Sequence, residues 1–215
     1  MRNGFVIALA WPETRCKRAG AWYDGIMEYV GISNNGYYRV GHAAMIIVDP
    51  EDGQCRYFDF GRYHTPKGFG RVRSAETDHE LRIHSRAQIS DNGNYIYNLR
   101  EILAEVYMNP SCHGVGPLHG CPTRVDLDKV LAFVKDMQDV DFVPYGPFVA
   151  DGTNCSRFVN RAIQAGVLEF KEQLRLKLPW MISPTPMWNL RALSQVMVIY
   201  GDLNSLVQRP KPAIA

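Results

Sequence analysis

The sequence predicts an α+β fold, with an antiparallel sheet laid down first and helices packed on it afterwards. Three observations lead there. "GFVIALAW" is a short apolar run closed by Pro12, which reads as a buried strand. "YYRVGHAAMIIVD" and "CRYFDFGRY" flank "PEDGQ", whose Pro, Asp and Gly mark the turn of an antiparallel hairpin. The best helical periodicities come later, and strands followed by helices favour α+β over a parallel α/β sheet.

The remaining elements follow in order. "AGAWYDGIMEYVG" places Trp22, Ile26, Tyr29 and Val30 at helical spacing, with Gly31 as a stop. "HELRIHSRAQI" alternates and predicts a third strand. "YIYNLREILAEVYM", from Tyr95 to Met108, and "DLDKVLAFVKDMQ", from Asp126 to Gln138, predict helices, Asp126 favouring the second N-terminus. Asn109 to Thr123 between them reads as a glycine-rich loop. "FVPYGPF" leads to "TNCSRFVNRAIQAG", a helix with Phe158, Val159, Ala162 and Ile163 on one face and Gly166 at its end. One domain spanning 1–215 is expected, with 167–215 as a peripheral, proline-rich C-terminal extension.

Composition narrows the function. The chain has 215 residues, 46% hydrophobic and 21% charged, which is a globular composition. A net charge of +2 gives no nucleic-acid surface. No apolar run reaches membrane-spanning length. The start "MRNGFVIALAWPET" is too weakly charged and too short in its apolar part for a signal peptide. Five cysteines without a disulfide-framework spacing point to free thiols, a reducing compartment and a cytoplasmic protein.

One cysteine stands apart. Cys155 falls in the first turn of its helix, where Thr153 or Asn154 can cap. Unpaired N–H groups and the helix dipole there favour a thiolate and can hold an oxyanion. A buried structural cysteine is the alternative. His42, just after Gly41 at the head of "AAMIIV", is the candidate base among six histidines. If the hairpin turns near Asp52, His42 faces the region from Asp59 to Tyr63. Asp59 is flanked by Phe58 and Phe60, which alternate to the opposite face, so Asp59 is the candidate third group orienting the imidazole. Tyr63 and His64 are the substitutes if the register slips, and a salt bridge from Asp59 to Arg56 or Arg62 is the competing structural reading.

These residues carry a family likeness. "GHAAMIIVD", followed much later by "GTNCSRFVNRAI", resembles the circularly permuted NlpC/P60 branch of papain-like proteins, which includes the YiiX/YaeF-like and lecithin:retinol acyltransferase-like proteins. In that branch the histidine strand precedes the cysteine helix. The longer string "AWPET…GHAAMIIVD…YFDFGRY…GFGRVR…PYGPF…GTNCSRFV" is similar to an uncharacterised bacterial family of the branch. The resemblance implies a papain-like fold, with the cysteine helix packed on a central antiparallel sheet. It also implies catalytic roles for Cys155 and His42 and a cofactor-free chemistry. Asp59 rests on strand geometry alone.

The expected activity is a cysteine hydrolase cleaving a peptide or cell-wall-type amide through a thioester. The alternatives are an acyltransferase or lipid hydrolase on the same fold, or a non-catalytic module that binds in the cleft. Tyr145, Asn154 and Arg62 are candidate substrate-binding residues, with Arg71 and Arg73 as further carboxylate partners. "GRYHTPKGFGRVRSAETD" reads as a basic loop near the site. Cys112, His113, His119 and Cys121 suggest zinc, but no paired C-x-x-C is present, and no metal site is assigned. Cys112 and Cys121 are expected to be reduced and unbridged.

Overall fold

The computed structural model describes residues 2–17, 33–34, 37–38, 40–112, 114–149, 151–177 and 183–201. In chain order the strands of its first part are β1 (Asn3–Trp11), β2 (Cys16–Lys17), β3 (Ser33–Asn34), β4 (Tyr37–Tyr38), β5 (His42–Val48), β6 (Cys55–Gly61) and β7 (Phe69–Arg73). Helix α1 (Leu99–Met108) is followed by β8 (Leu118–Asp126), α2 (Leu127–Asp139) and β9 (Val143–Pro144). Helices α3 (Cys155–Gly166), α4 (Phe170–Lys177) and α5 (Pro186–Arg191) precede β10 (Val198–Tyr200). The helix expected over residues 19–31 lies outside the described residues.

The main sheet has seven strands in the order β10-β8-β1-β5-β6-β7-β9, and every neighbouring pair is antiparallel. β1 and β5 are central and buried along nearly their whole length. Their unbroken apolar sequences follow from that, because both sheet faces are covered. Ala43, Met45, Phe58 and Phe60 face α2, α3 and α5, meeting Val130, Phe158, Val159 and Leu190. Ala44, Ile46 and Tyr57 face α1, meeting Ile102, Leu103 and Val106. The architecture is the α+β papain-like one, with the cysteine helix packed on an antiparallel sheet.

Three expectations are corrected. The third hairpin strand is Phe69–Arg73, inside the segment read as a basic loop, and not "HELRIHSRAQI". β7 pairs with β6 through Asp59↔Arg73, Phe60↔Val72 and Gly61↔Arg71. Its arginines are neutralised where they stand, Arg71 by Asp78 and Arg73 by Asp59, so a basic sequence packs as a strand. Residues 79–81 form a 3-10 turn. The backbone N–H groups of His84 and Ser85 then donate to the Glu105 carboxylate at 2.6 and 2.8 Å, a side chain of α1 replacing a strand ladder.

The second correction is β8, whose residues 118–123 lie in the expected glycine-rich loop. "LHGCPTRVD" looks unlike a strand because of Gly120 and Pro122. Gly120 lets α1 approach: a Cβ there would lie 2.6 Å from the Leu103 side chain. Pro122 is tolerated because β10 pairs only with residues 118–120, leaving β8 an edge at the proline. The third is the start of α1, at Leu99 and not Tyr95. Ile89 bridges Ile96, and the Asn98 side chain binds the Gln88 N–H and the Arg86 carbonyl, so the chain arrives extended.

The C-terminal segment, expected to be peripheral, supplies Leu176, Leu190 and Leu193 to the core and β10 to the sheet. Asn189, fully buried on α5, donates to the backbone oxygen and hydroxyl of Ser156 at 2.9 and 3.1 Å and accepts from Asn160 at 2.9 Å. These bonds tie the C-terminal region to the first turn of α3.

Candidate active site

Cys155 opens α3, as its sequence setting predicts. Asn154 is the cap: its Oδ1 accepts from the Arg157 N–H at 2.9 Å. Its Nδ2 donates to the Ser183 hydroxyl at 2.6 Å, so both ends of the side chain are used inside the protein. The loop before the cysteine is clasped by Thr153 N–H to the Pro144 carbonyl at 2.9 Å and by the Arg157 guanidinium on the carbonyls of Gly152 and Pro147. Asn154→Ala should cost about 1 kcal/mol, typical of an N-cap. A thermal melt reads it, and an unchanged midpoint would show that the cap adds nothing.

His42 opens β5 at the end of a central strand, not on a lateral edge of the sheet. Gly41 immediately before it has φ +74°, and a Cβ there would lie 3.0 Å from the Trp11 carbonyl oxygen. Glycine is what lets the chain turn into the strand. Trp11 is the cross-strand partner of His42, and the two rings lie 5.6 Å apart.

The imidazole is placed between Cys155 and Asp59. Burial alone would lower its pKa, but polar contacts with Asp59 and Cys155 and their charges raise it from 6.5 to about 9. The Cys155 thiol moves the other way. Burial opposes ionisation, yet the hydrogen bond and charge of His42, with the backbone N–H groups of Ala43 and Ser156, lower its pKa below the ordinary value. Cys55 and Cys121 behave as buried structural thiols: burial pushes them up to about 11 and about 12. A thiolate–imidazolium pair is therefore favoured at Cys155 and His42.

Asp59 lies on the face of β6 shared with His42, opposite Phe58 and Phe60. It pairs with Ala44, which is two residues along β5 from His42. Its Oδ2 is 3.5 Å from His42 Nε2. That is an ion-pair contact too long for a well-formed hydrogen bond, and Nε2 has no partner within strict hydrogen-bond geometry. The carboxylate is bound more closely elsewhere. Arg73 donates through Nε to Oδ1 at 2.9 Å and through Nη2 to Oδ2 at 2.6 Å, and the Tyr57 hydroxyl donates to Oδ2 at 3.2 Å. Burial would raise the Asp59 pKa, but Arg73 and His42 bring it down to about 2. Arg56 instead approaches Asp49, and Arg62 lies over the Tyr145 ring at 5.2 Å, so neither makes the competing salt bridge.

Tyr145 stacks on Phe60 with ring centroids 5.9 Å apart, and the Arg62 guanidinium lies over its ring. Arg71 and Arg73 are bound within the protein, to Asp78 and Asp59, so the expectation that they take a substrate carboxylate is corrected. Tyr63 stacks beneath Arg73 at 3.5 Å, and His64 sits at φ 52° beyond the strand. Cys112 and Cys121 are free thiols. His113 lies outside the described residues, and His119 and Cys121 lie in β8. Arg73 was expected to meet a substrate carboxylate and not Asp59, a partnership that only the β6–β7 pairing reveals; Tyr57, two residues before Asp59 on the same face of β6, was not among the expected site residues.

A family model described as "Type VI secretion system effector TseH-like" matches residues 6–171. That span is most of the 215 residues and contains His42, Asp59, Arg73 and Cys155. The chain belongs to this family. The TseH-like chain is also similar to a solved structure described as "Crystal structure of Type VI secretion system effector, TseH", with a TM-score of 0.57 and 20% identity over 93% of each chain. At that identity the likeness concerns the fold. No curated protein matches the chain. No helix among the described residues is long and apolar enough to cross a membrane.

Proposed function

We propose that this TseH-like protein is an effector delivered by a type VI secretion system that cleaves an amide bond with Cys155 as nucleophile. Export as an effector replaces the cytoplasmic expectation. The observation that carries the reading is His42 held between Cys155 and Asp59, with the thiol pKa lowered and the imidazole pKa raised. The histidine-before-cysteine order supports the permuted NlpC/P60 branch.

In the first step the Cys155 thiolate attacks the substrate carbonyl carbon. The Ser156 N–H, at the N-terminus of α3, helps to hold the developing oxyanion once the sulfur's charge has passed to the substrate. The His42 imidazolium gives its proton to the leaving nitrogen as the C–N bond breaks, leaving a thioester on Cys155. Neutral His42 then takes a proton from water, the hydroxide adds to the thioester carbon, and the thiolate leaves with the acid product. Asp59 holds the imidazole in orientation throughout. Tyr145 and Arg62 form a wall of the cleft on which a substrate side group packs.

The sign of the pH dependence follows. A His42 pKa raised to about 9 keeps the ring protonated through neutral pH, so leaving-group protonation fails only above that value. kcat/KM should be high at neutral pH and fall above about pH 9. The lowered thiol pKa predicts fast alkylation by iodoacetamide at neutral pH, slowed at least about tenfold by His42→Ala. A panel of peptide amides, quenched in acid and read by intact mass, tests the covalent step. An acyl adduct on Cys155, absent in Cys155→Ser, is expected. Slow alkylation insensitive to His42→Ala, with no adduct from any amide, would remove the proposal.

A further inference from the structure

The Asp59 carboxylate has a second buried cation that no step above uses. Arg73 is the direct cross-strand partner of Asp59 and is only 3% exposed. Its two nitrogens clasp both carboxylate oxygens, Nη2 also donates to the Ser111 carbonyl at 3.0 Å, and its guanidinium lies 3.5 Å over the Tyr63 ring. The side chain is thus held by Asp59, the Ser111 carbonyl and the Tyr63 ring together. This is a planar two-pronged grip that a lysine ammonium cannot reproduce.

We infer that Arg73 is a positioning residue for the catalytic histidine, acting through Asp59 by fixing the carboxylate beneath His42 and keeping it ionised.

This inference rests on the proposed Cys155–His42 chemistry and extends it by one residue. The four side chains form a row of alternating charge: Cys155 thiolate, His42 imidazolium, Asp59 carboxylate, Arg73 guanidinium. The row is neutral in sum, which suits a buried site. Without Arg73 the same row would carry one net negative charge, and the thiolate would be disfavoured by it. The contact lengths show how the carboxylate is shared. Oδ2 takes Arg73 at 2.6 Å, Tyr57 at 3.2 Å and His42 at 3.5 Å. Arg73 therefore holds the carboxylate more tightly than the imidazole does, so Asp59 guides His42 without capturing its proton.

The groups facing Asp59 define what else titrates there. They are His42 from β5, Tyr57 from β6, Arg73 from β7 and Tyr63 from the segment after β6, with Cys155 reached through His42 and Cys112 lying near Tyr57. Tyr57 is pushed well up by burial and stays a neutral donor. Arg73 is thus the permanent cation of the set. A close opposite charge commonly moves a carboxyl pKa by about 1–3 units. Losing Arg73 should bring Asp59 protonation up into the range where the thiolate–imidazolium pair forms.

The test needs no substrate. The rate of Cys155 alkylation by iodoacetamide is measured against pH in the native protein and in Arg73→Met, Arg73→Lys and His42→Ala, each checked by thermal melt. In Arg73→Met the acid limb of the profile should move toward neutral pH by about one unit, a roughly tenfold loss of rate on that limb. Arg73→Lys keeps the charge but not the grip, and should move it less. A merely structural arginine would lower the melting temperature and leave the limb where it is. If both variants keep the native limb while His42→Ala slows alkylation, the inference about Arg73 is overturned and the catalytic proposal survives. If Arg73→Met does not fold, Arg73→Lys decides: a native profile overturns the inference and an upward-shifted limb supports it. If His42→Ala also leaves the profile native, the failure belongs to the catalytic proposal.

Discussion

Cys155→Ser is expected to abolish turnover while leaving the fold in place. Oxygen and sulfur are close in size, and the side chain sits at a helix start already capped by Asn154, so packing changes little. The chemistry changes entirely. Burial opposes ionisation of the sulfur, but His42 and the N–H groups of Ala43 and Ser156 stabilise its charge and lower its pKa below the ordinary thiol value. A serine hydroxyl at the same place keeps its proton and stops short of the thioester. Loss of a covalent nucleophile in a coupled triad costs on the order of a millionfold in kcat, so the expected result is no measurable hydrolysis, with the melting temperature within a few degrees of native. Replacing Cys55 or Cys121 should not cause this loss, because burial holds both as neutral thiols. A Cys155→Ser protein that retained even a tenth of the native rate would place the nucleophile elsewhere.

Asp59→Ala is expected to make the protein easier to unfold as well as slower. Asp59 and Arg73 are 0% and 3% exposed, and removing the carboxylate leaves a buried guanidinium whose remaining contacts among the described residues are the Ser111 carbonyl and the Tyr63 ring. Breaking a buried pair from one side costs about 3–5 kcal/mol, chiefly from the uncompensated charge. Denaturant unfolding should show a loss of that size, and Asp59→Asn should also destabilise, although it preserves shape. Adding Arg73→Met to Asp59→Ala should recover part of the stability and none of the activity, which separates the cost of the lone charge from the loss of the orienting group. The same pair sets an acid limit. A carboxyl held at about 2, against an ordinary 3.8, contributes stability that is complete above about pH 4 and lost as pH falls through 2. A single Asp59→Ala protein as stable as the native one would mean that the pair contributes nothing.

Local chemistry written into short segments was legible without a structure. The apolar runs of β1 and β5, the turn at Asp52 and Gly53, and the cap and apolar face of α3 each depend on residues close together in the chain, so pattern alone identified them. Alternation along β6 likewise put Asp59 on the face of His42, because side chains in a strand change face at every residue. What joins distant segments was not legible. β7 and β8 carry glycine, proline and arginine, and they become strands only because Asp59, Leu103 and the neighbouring ladders receive them. Glu105 diverts residues 84 and 85 from a ladder by binding their N–H groups. Arg73 reads in sequence as one cation in a basic loop. Only the β6–β7 register brings it against Asp59, where burial turns an ordinary surface charge into the partner of a carboxylate. Periodicity decides which way a side chain points, and the tertiary structure decides what it meets, since desolvated charges select one another by proximity and not by order along the chain.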